Sequence, residues 1–298
     1  QRLQSSVSTH ERNSNNLHCL HVLHFIRAWQ EDGHLFCQTE LCCRDTCQQL
    51  MESLTINWEA SSKIYPSLVR NLPISCDDKC GHLVPENTIW KIFHDVTAGL
   101  SHMHSHGIVH QDIKPLNIFF VSHQQLGALC KIGDFGIAGD IGTVEDGQEG
   151  DTIYMPQELL TTPVKEPSGD IFSLGLTMYE LSSSATWTLP TEGARWHDIR
   201  NGSHVPELPP SRSKALISLI QRMISSNKDQ RPGAKETLVS NENINSVAME
   251  PDSFLSEYIR DVQNFDQARE KEVILAQLEA DKSRHTPTPL VSRRTSSG

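Results

Sequence analysis

The stretch GIVHQDIKPLNIFF, residues 107–120, sets Asp112, Lys114 and Asn117 at the spacing D-x-K-x-x-N, and Asp134 opens a D-F-G triplet further on. These residue types suit transfer of a γ-phosphoryl group. Such transfer needs a carboxylate beside the accepting hydroxyl, a cation on the moving phosphate and hard oxygens to hold divalent metal. Asp112 is the candidate to orient the hydroxyl and accept its proton. Lys114 can set a positive charge beside the phosphate, and Asn117 and Asp134 offer the oxygen donors that magnesium prefers. Gly136 gives the backbone freedom that a movable segment requires. Each fragment recurs by chance; the order and spacing of all of them together is specific.

These residues need a scaffold. Pro85 and Glu86 suit a helix start, and apolar residues then recur at helical spacing to Gly107, which fits a left-handed cap. Asp112 follows that helix after a short turn. Ile118–Ser122 and Leu129–Gly133 read as short strands that carry the chain from Asn117 to Asp134. Upstream, residues 17–41 read as two strands about a tight Asp32-Gly33 turn, with a short helix from Arg44 to Leu54. Residues 55–84 have no firm period and read as an insertion or functional loop. Residues 168–184 are apolar nearly all round and predict a core helix; residues 213–226 predict an amphipathic one. Strands first and helices after argue for an α+β fold.

Further motifs follow in a fixed order: YMPQE (154–158), DIFSLG (170–175) and QRPGA around Arg231. With D-x-K-x-x-N and DFG, this is the order of protein kinases. The pattern predicts a bilobal kinase domain over residues 1–245, with a buried Glu158–Arg231 ion pair and a charged helical segment plus disordered tail over 246–298. Asp170, at the start of its helix, is otherwise a capping residue.

The chain resembles the Wee/Myt group of inhibitory cell-cycle kinases. The residues that carry the likeness are FIRAWQEDGHLFCQTELC, DIKPLNIFF, KIGDFG, EGDTIYMPQELL, DIFSLGLT and RWHDIRNG, within residues 20–240. RWHDIR and EGD separate this group from other kinases better than DFG does. The resemblance implies Thr39 as gatekeeper, Glu40 and Cys42 as backbone partners of the adenine, Asp112 as proton acceptor, and Asn117 and Asp134 as magnesium ligands. It implies ATP and magnesium as cofactors and a cyclin-dependent kinase–cyclin complex as substrate. Phosphorylation of a tyrosine in that kinase's ATP loop (in some members also a threonine) would delay mitosis.

Three features depart from the kinase pattern. No G-x-G-x-x-G and no V-A-I-K-like strand precedes the hinge, and the chain opens on Gln1. A fragment of a longer kinase is the favoured reading; a short form that binds without catalysing is the alternative. Gln111 stands where arginine is common, so activity should not depend on an activation-loop phosphate, and Glu145, Asp146 and Glu149 make that segment acidic. MPQE replaces the common A-P-E, with Glu158 kept. Lys114 by itself suits a Ser/Thr kinase, whereas the resemblance implies tyrosine; a translation-initiation-factor kinase, which shares KIGDFG, is a further alternative.

The rest of the composition bounds the answer. Net charge is −11 over 298 residues, which argues against nucleic acid as the main partner. No apolar run reaches membrane-span length. Eight irregularly placed cysteines without an export signal predict a reducing intracellular compartment, the nucleus before the cytoplasm. Cys76, Cys80 and His82 could offer zinc ligands, although a mobile polar loop is favoured. The histidines of SHMHSH (101–106) suit a helix C-terminus. Leu255, Ile259, Val262, Ile274 and Leu278 form a stripe that predicts a tail helix docked on its own domain. Thr286, Thr288, Thr295 and Ser296 are candidate phosphorylation sites, and Arg293 with Arg294 a candidate import signal.

Overall fold

The computed structural model describes residues 19–55, 64–67, 83–144, 150–184, 187–204 and 206–284. Cys76, Cys80, His82, Glu145, Asp146, Glu149, the tail residues named above and most of the 55–84 insertion lie outside them.

Asp32 and Gly33 both take positive φ (49° and 79°), which matches the right-handed twist of the flanking strands. They join β1 (Phe25–Glu31) to β2 (His34–Thr39) in antiparallel register, with Glu31 opposite His34. The first strand begins later than the apolar alternation suggests. Residues 21–23 pair instead with Ile132, through Leu23 N–H to Ile132 O (2.8 Å) and Ile132 N–H to His21 O (2.9 Å). Helix α1 (Cys47–Thr55) follows, three residues later than its expected start.

Helix α2 (Glu86–Ser105) buries Ile89, Phe93, Val96, Leu100 and Met103 completely, one residue every three or four. The chain leaves it through Gly107 at φ 76°, a conformation glycine adopts without steric cost. A short strand, β3 (Ile108–Val109), leads to the Asp112 segment and a 3-10 turn over Pro115–Asn117. Strands β4 (Ile118–His123) and β5 (Gly127–Ile132) then form a hairpin that packs on α2. Beyond Asp134, β6 (Gly139–Asp140) pairs with β3. The helices that follow are α3 (Gln157–Thr161), α4 (Pro167–Ser182), α5 (Ala194–Asn201), α6 (Lys214–Met223), α7 (Ala234–Ser240), α8 (Glu242–Val247) and α9 (Ser253–Arg284). As its all-round apolar sequence predicts, α4 lies in the core, against α2 and α6.

The expected Glu158–Arg231 pair is present and bidentate: Nη1 and Nη2 of Arg231 each donate to one Glu158 oxygen, the second at 3.0 Å. The guanidinium also lies over Phe172, 4.8 Å from the ring centroid. Glu158→Ala strands a cation whose side chain is 1% exposed. Because Glu158 itself keeps some solvent contact, the expected loss is about 3 kcal/mol, the low end for breaking a buried pair. Urea denaturation reads it directly, and a loss under about 1 kcal/mol would place this pair with ordinary surface bridges.

The tail stripe divides in two. Leu255, Tyr258, Ile259 and Val262 are buried against the domain, while Val273 and Ile274 are about half exposed; the side chain of Leu278 lies outside the described residues. Docking is reinforced by polar bonds that the sequence does not announce. Asp45 Oδ2 accepts from both Tyr65 and Tyr258 hydroxyls at 2.9 Å, and their rings stack at 5.1 Å. Ser67 donates through its N–H and its hydroxyl to Asp261 (2.7 and 3.0 Å). Arg44 pairs with Asp266 at 2.8 Å.

Asp95 of α2 anchors another buried network. Its Oδ1 lies 3.0 Å from Lys91 Nζ, 2.8 Å from His94 Nδ1 and 3.6 Å from His21 Nδ1, and its Oδ2 accepts from Cys130 N–H. Two histidines and a carboxylate have the makings of a metal site. The ammonium of Lys91 already supplies the cation there.

Candidate active site

The 3-10 turn after Lys114 folds Asn117 back on Asp112: its Nδ2 donates to the Asp112 carbonyl (2.8 Å) and to Asp112 Oδ2 (2.9 Å). With both amide hydrogens so engaged, the side-chain oxygen of Asn117 is left as a hard acceptor. Lys114 Nζ lies 2.9 Å from Asp112 Oδ2 and 3.7 Å from Asp151 Oδ2. Burial acts to lower the Lys114 ammonium pKa. The Asp112 bond and the charges of Asp112, Asp151 and Asp134 outweigh it and hold the group above its ordinary value.

Asp134 reaches this cluster through the backbone. Gly133 N–H donates to Asn117 O (3.0 Å), which sets the start of D-F-G beside the end of D-x-K-x-x-N. Phe135 is buried and meets His110 edge-on at 5.3 Å. Asp134 takes φ 65° and Gln111 φ 67°, left-handed conformations uncommon outside glycine. Both lie at the candidate site, where surrounding bonds hold such strained residues in place. At Gln111 one of those bonds is its N–H to Asp170 Oδ1, 2.7 Å.

Asp170 is not a cap. Glu166 occupies the N-cap position of α4, and the Asp170 carboxylate faces inward. It accepts from His110 N–H (2.9 Å), Gln111 N–H and His104 Nε2 (2.8 Å). Burial alone would raise its pKa, but the bond and charge of His104, then His110, hold it below the usual carboxylate range. His104, expected only to complement a helix end, thus ties α2 to the loop before Asp112. His110 accepts the Asp112 N–H at Nδ1 (3.2 Å) and faces Gly133 O with Nε2 (3.1 Å), the arrangement of a neutral ring.

Burial holds both His110 and His21 below the ordinary imidazole value, against the opposing charges of Asp170 and Asp95 respectively. The unfolded chain therefore binds protons that the folded one refuses. Stability from these rings is full above the unfolded value of 6.5 and is lost as pH falls below it. Asp170 and Asp95, lowered from 3.8, withdraw their contribution only in stronger acid. Tm should accordingly drop between pH 7 and pH 5; a flat Tm across that interval overturns the assignment of neutral buried rings.

Gly150 and Asp151 of EGD each have a structural reason. A Cβ on Gly150 would stand 2.6 Å from Gln111 O, so only glycine lets the two backbones approach. Asp151 N–H then donates to Asp112 Oδ1 at 3.2 Å. Asp112 is thereby held from two sides, by Asn117 on Oδ2 and by Asp151 on Oδ1.

At the hinge, Glu40 N–H donates to His24 O (3.0 Å) while Glu40 Oε1 accepts from His24 N–H (2.7 Å) and pairs with Lys131 (2.9 Å). Lys131, from KIGDFG, is buried and was not among the expected site residues. Thr39 ends β2 and its hydroxyl donates to Glu40 O (3.2 Å). Among the described residues the backbone groups of Cys42 have no hydrogen-bond partner. Burial and then the Glu40 charge push the Cys42 thiol up to about 11, so it stays protonated at neutral pH. The structure thus brings Asp112, Lys114, Asn117 and Asp134 together and sets Thr39, Glu40 and Cys42 in one linker.

Comparison with known proteins gives the family. The protein kinase domain family matches residues 4–241. A Dictyostelium discoideum protein described as a probable protein kinase is 38% identical over 205 residues, covering 68% of this chain and 50% of the relative. The membrane-associated tyrosine- and threonine-specific cdc2-inhibitory kinase wee-1.3 of Caenorhabditis elegans is 35% identical over 73% of this chain and 27% of its own length. Wee1-like protein kinase 2 of Homo sapiens is 30% identical over 73% of this chain and 37% of its own length. The chain therefore spans half or less of each of these relatives. Among the described residues no helix is long and apolar enough to cross a membrane. From its motif order, its fold and these relatives, the chain belongs to the protein kinases and, among them, to the Wee type.

Proposed function

We propose that the protein transfers the γ-phosphate of ATP to a tyrosine of a cyclin-dependent kinase and so restrains the onset of mitosis. The observation that carries this reading is Asp112 held from both sides by Asn117 and Asp151, with Lys114 alongside. That geometry leaves a fixed carboxylate to take a hydroxyl proton and an ammonium to meet the phosphate. A module that only binds has no physical need of it. Asn117 and Asp134 present hard oxygens, a donor set that fits magnesium, which supplies charge neutralisation on the phosphates when bound. By the resemblance, the backbone of Cys42 and the carbonyl of Glu40, which here accepts the Thr39 hydroxyl, would meet the adenine edge.

Asp151 bears on regulation. It places a permanent carboxylate beside Lys114 in the activation segment, where no phosphate has to be added. Activity without prior phosphorylation follows. The tyrosine preference and the cyclin-dependent kinase substrate rest on the relatives, two of which are named as cdc2-inhibitory or Wee1-like kinases. The test is a set of peptides copying the ATP loop of a cyclin-dependent kinase, with tyrosine, threonine or serine as sole acceptor, offered to the full-length protein with magnesium-ATP. Phosphotyrosine is the expected product. Transfer to serine alone would move the assignment to the translation-factor kinases, and magnesium-ATP binding without transfer to any peptide would favour the binding module.

A further inference from the structure

Four successive carbonyls beyond Asp151 all turn into the protein. Thr152 O accepts from Arg200 Nη2 (2.8 Å) and Trp196 Nε1 (3.2 Å), and Ile153 O from Arg200 Nη2 (2.8 Å). Tyr154 O accepts from Ser173 Oγ (2.9 Å) and Met155 O from Arg200 Nε (2.9 Å). Trp196 and Arg200 stand four residues apart on α5, one turn of one face. The guanidinium lies flat on the indole, 3.6 Å from its centroid, and Nη1 returns to Trp196 O at 3.1 Å.

Arg200 is 2% exposed, and among the described residues no carboxylate pairs with it. Burial alone lowers its pKa, to about 10. A buried cation held by carbonyls and a ring but by no carboxylate is costly, so simple packing would be served better by a neutral side chain. What a neutral side chain lacks is a planar fork with donors aimed at several carbonyls at once. The segment so gripped starts at Asp151, whose N–H is on Asp112 and whose carboxylate faces Lys114. Residues 152–155 therefore border the face on which an acceptor hydroxyl must arrive.

We infer that Arg200, seated on Trp196, is a positioning residue for the acceptor: it fixes residues 152–155 so that the phosphorylated segment of the substrate is held in line with Asp112. This deepens the kinase reading and rests on it. The grip is on the acceptor side only, since none of the bonds described runs to the hinge.

The test compares Arg200→Lys and Trp196→Phe with the wild-type full-length protein. Lysine keeps the charge and loses the fork; phenylalanine keeps a ring and loses one donor. KM for the acceptor peptide, KM for ATP and backbone amide exchange over 151–156 and over α2 are measured. In Arg200→Lys the expected result is a fall of roughly 100-fold in kcat/KM for the acceptor, from loss of two or more charged hydrogen bonds, with KM for ATP within twofold. Exchange over 151–156 accelerates while α2 is unchanged, and Trp196→Phe moves both readouts the same way by about tenfold. Unchanged exchange at 151–156, or equal losses for acceptor and ATP, overturns the inference. If the wild type transfers no phosphate, the kinase reading fails by itself, and peptide affinity together with exchange still decides whether Arg200 positions the segment.

Discussion

Asp134→Asn should abolish transfer, with the rate falling about 1,000-fold or more in the full-length protein, beyond a typical single electrostatic contact. The carboxylate is a hard anionic donor at a point that other residues have already fixed. Gly133 is bonded to Asn117 and to His110, and Phe135 is buried on His110, so Asp134 has no freedom to be replaced by a neighbour. Asparagine keeps the shape and the left-handed backbone, which it tolerates well, so the fold should survive. What goes is the negative charge that holds a divalent cation. Magnesium dependence supplies the check: the variant should need far more magnesium for any residual rate. Wild-type rates at ordinary magnesium would remove Asp134 from the site.

Asp112→Asn attacks another step. The change removes the proton acceptor and leaves one oxygen where there were two, so the new amide can accept from the N–H of Asp151 or from the amide of Asn117 but not from both. Transfer should fall by about 100- to 10,000-fold, the usual range for a general base. ATP affinity should stay within a few-fold, because the role proposed for Asp112 is with the acceptor hydroxyl and not with the nucleotide. Lys114 loses its 2.9 Å partner and keeps only Asp151 at 3.7 Å, so its pKa should drop towards its ordinary value. Single-turnover rates beside nucleotide titration separate these effects. Loss of nucleotide binding equal to the loss of rate would mean that Asp112 holds the fold of the site and not its chemistry.

That the candidate residues cluster was legible because they are local. Asp112, Lys114 and Asn117 lie within six residues, and the 3-10 turn between them is enough to bring Asn117 onto Asp112. The hairpin turn at Asp32-Gly33 and the buried face of α2 were legible for the same reason. What escaped the sequence was the far partner. His104 reads as one histidine among several at a helix end, yet its role depends on Asp170, 66 residues on. Lys131 reads as a strand lysine until the hinge carboxylate of Glu40 is set against it. RWHDIR could be recognised as a family mark, but nothing in its pattern says that Arg200 reaches back to carbonyls 45 to 48 residues earlier. Periodicity reports which face of an element is apolar; it carries no information on which buried donor meets which acceptor.

The shared carboxylate of Asp45 has a bearing on how the protein is made. Its two phenolic partners lie 20 and 213 residues downstream. At roughly 5–20 residues per second of synthesis, Tyr258 leaves the ribosome about 10 to 40 seconds after Asp45. For that interval the stretch just past the hinge has only one of its two hydroxyl donors, and β4–β5 lacks the helix that covers it. The contact on Asp45 is thus completed only when Tyr258 has been made. The cover over β4–β5 and the second hydroxyl on Asp45 therefore both wait on the synthesis of α9.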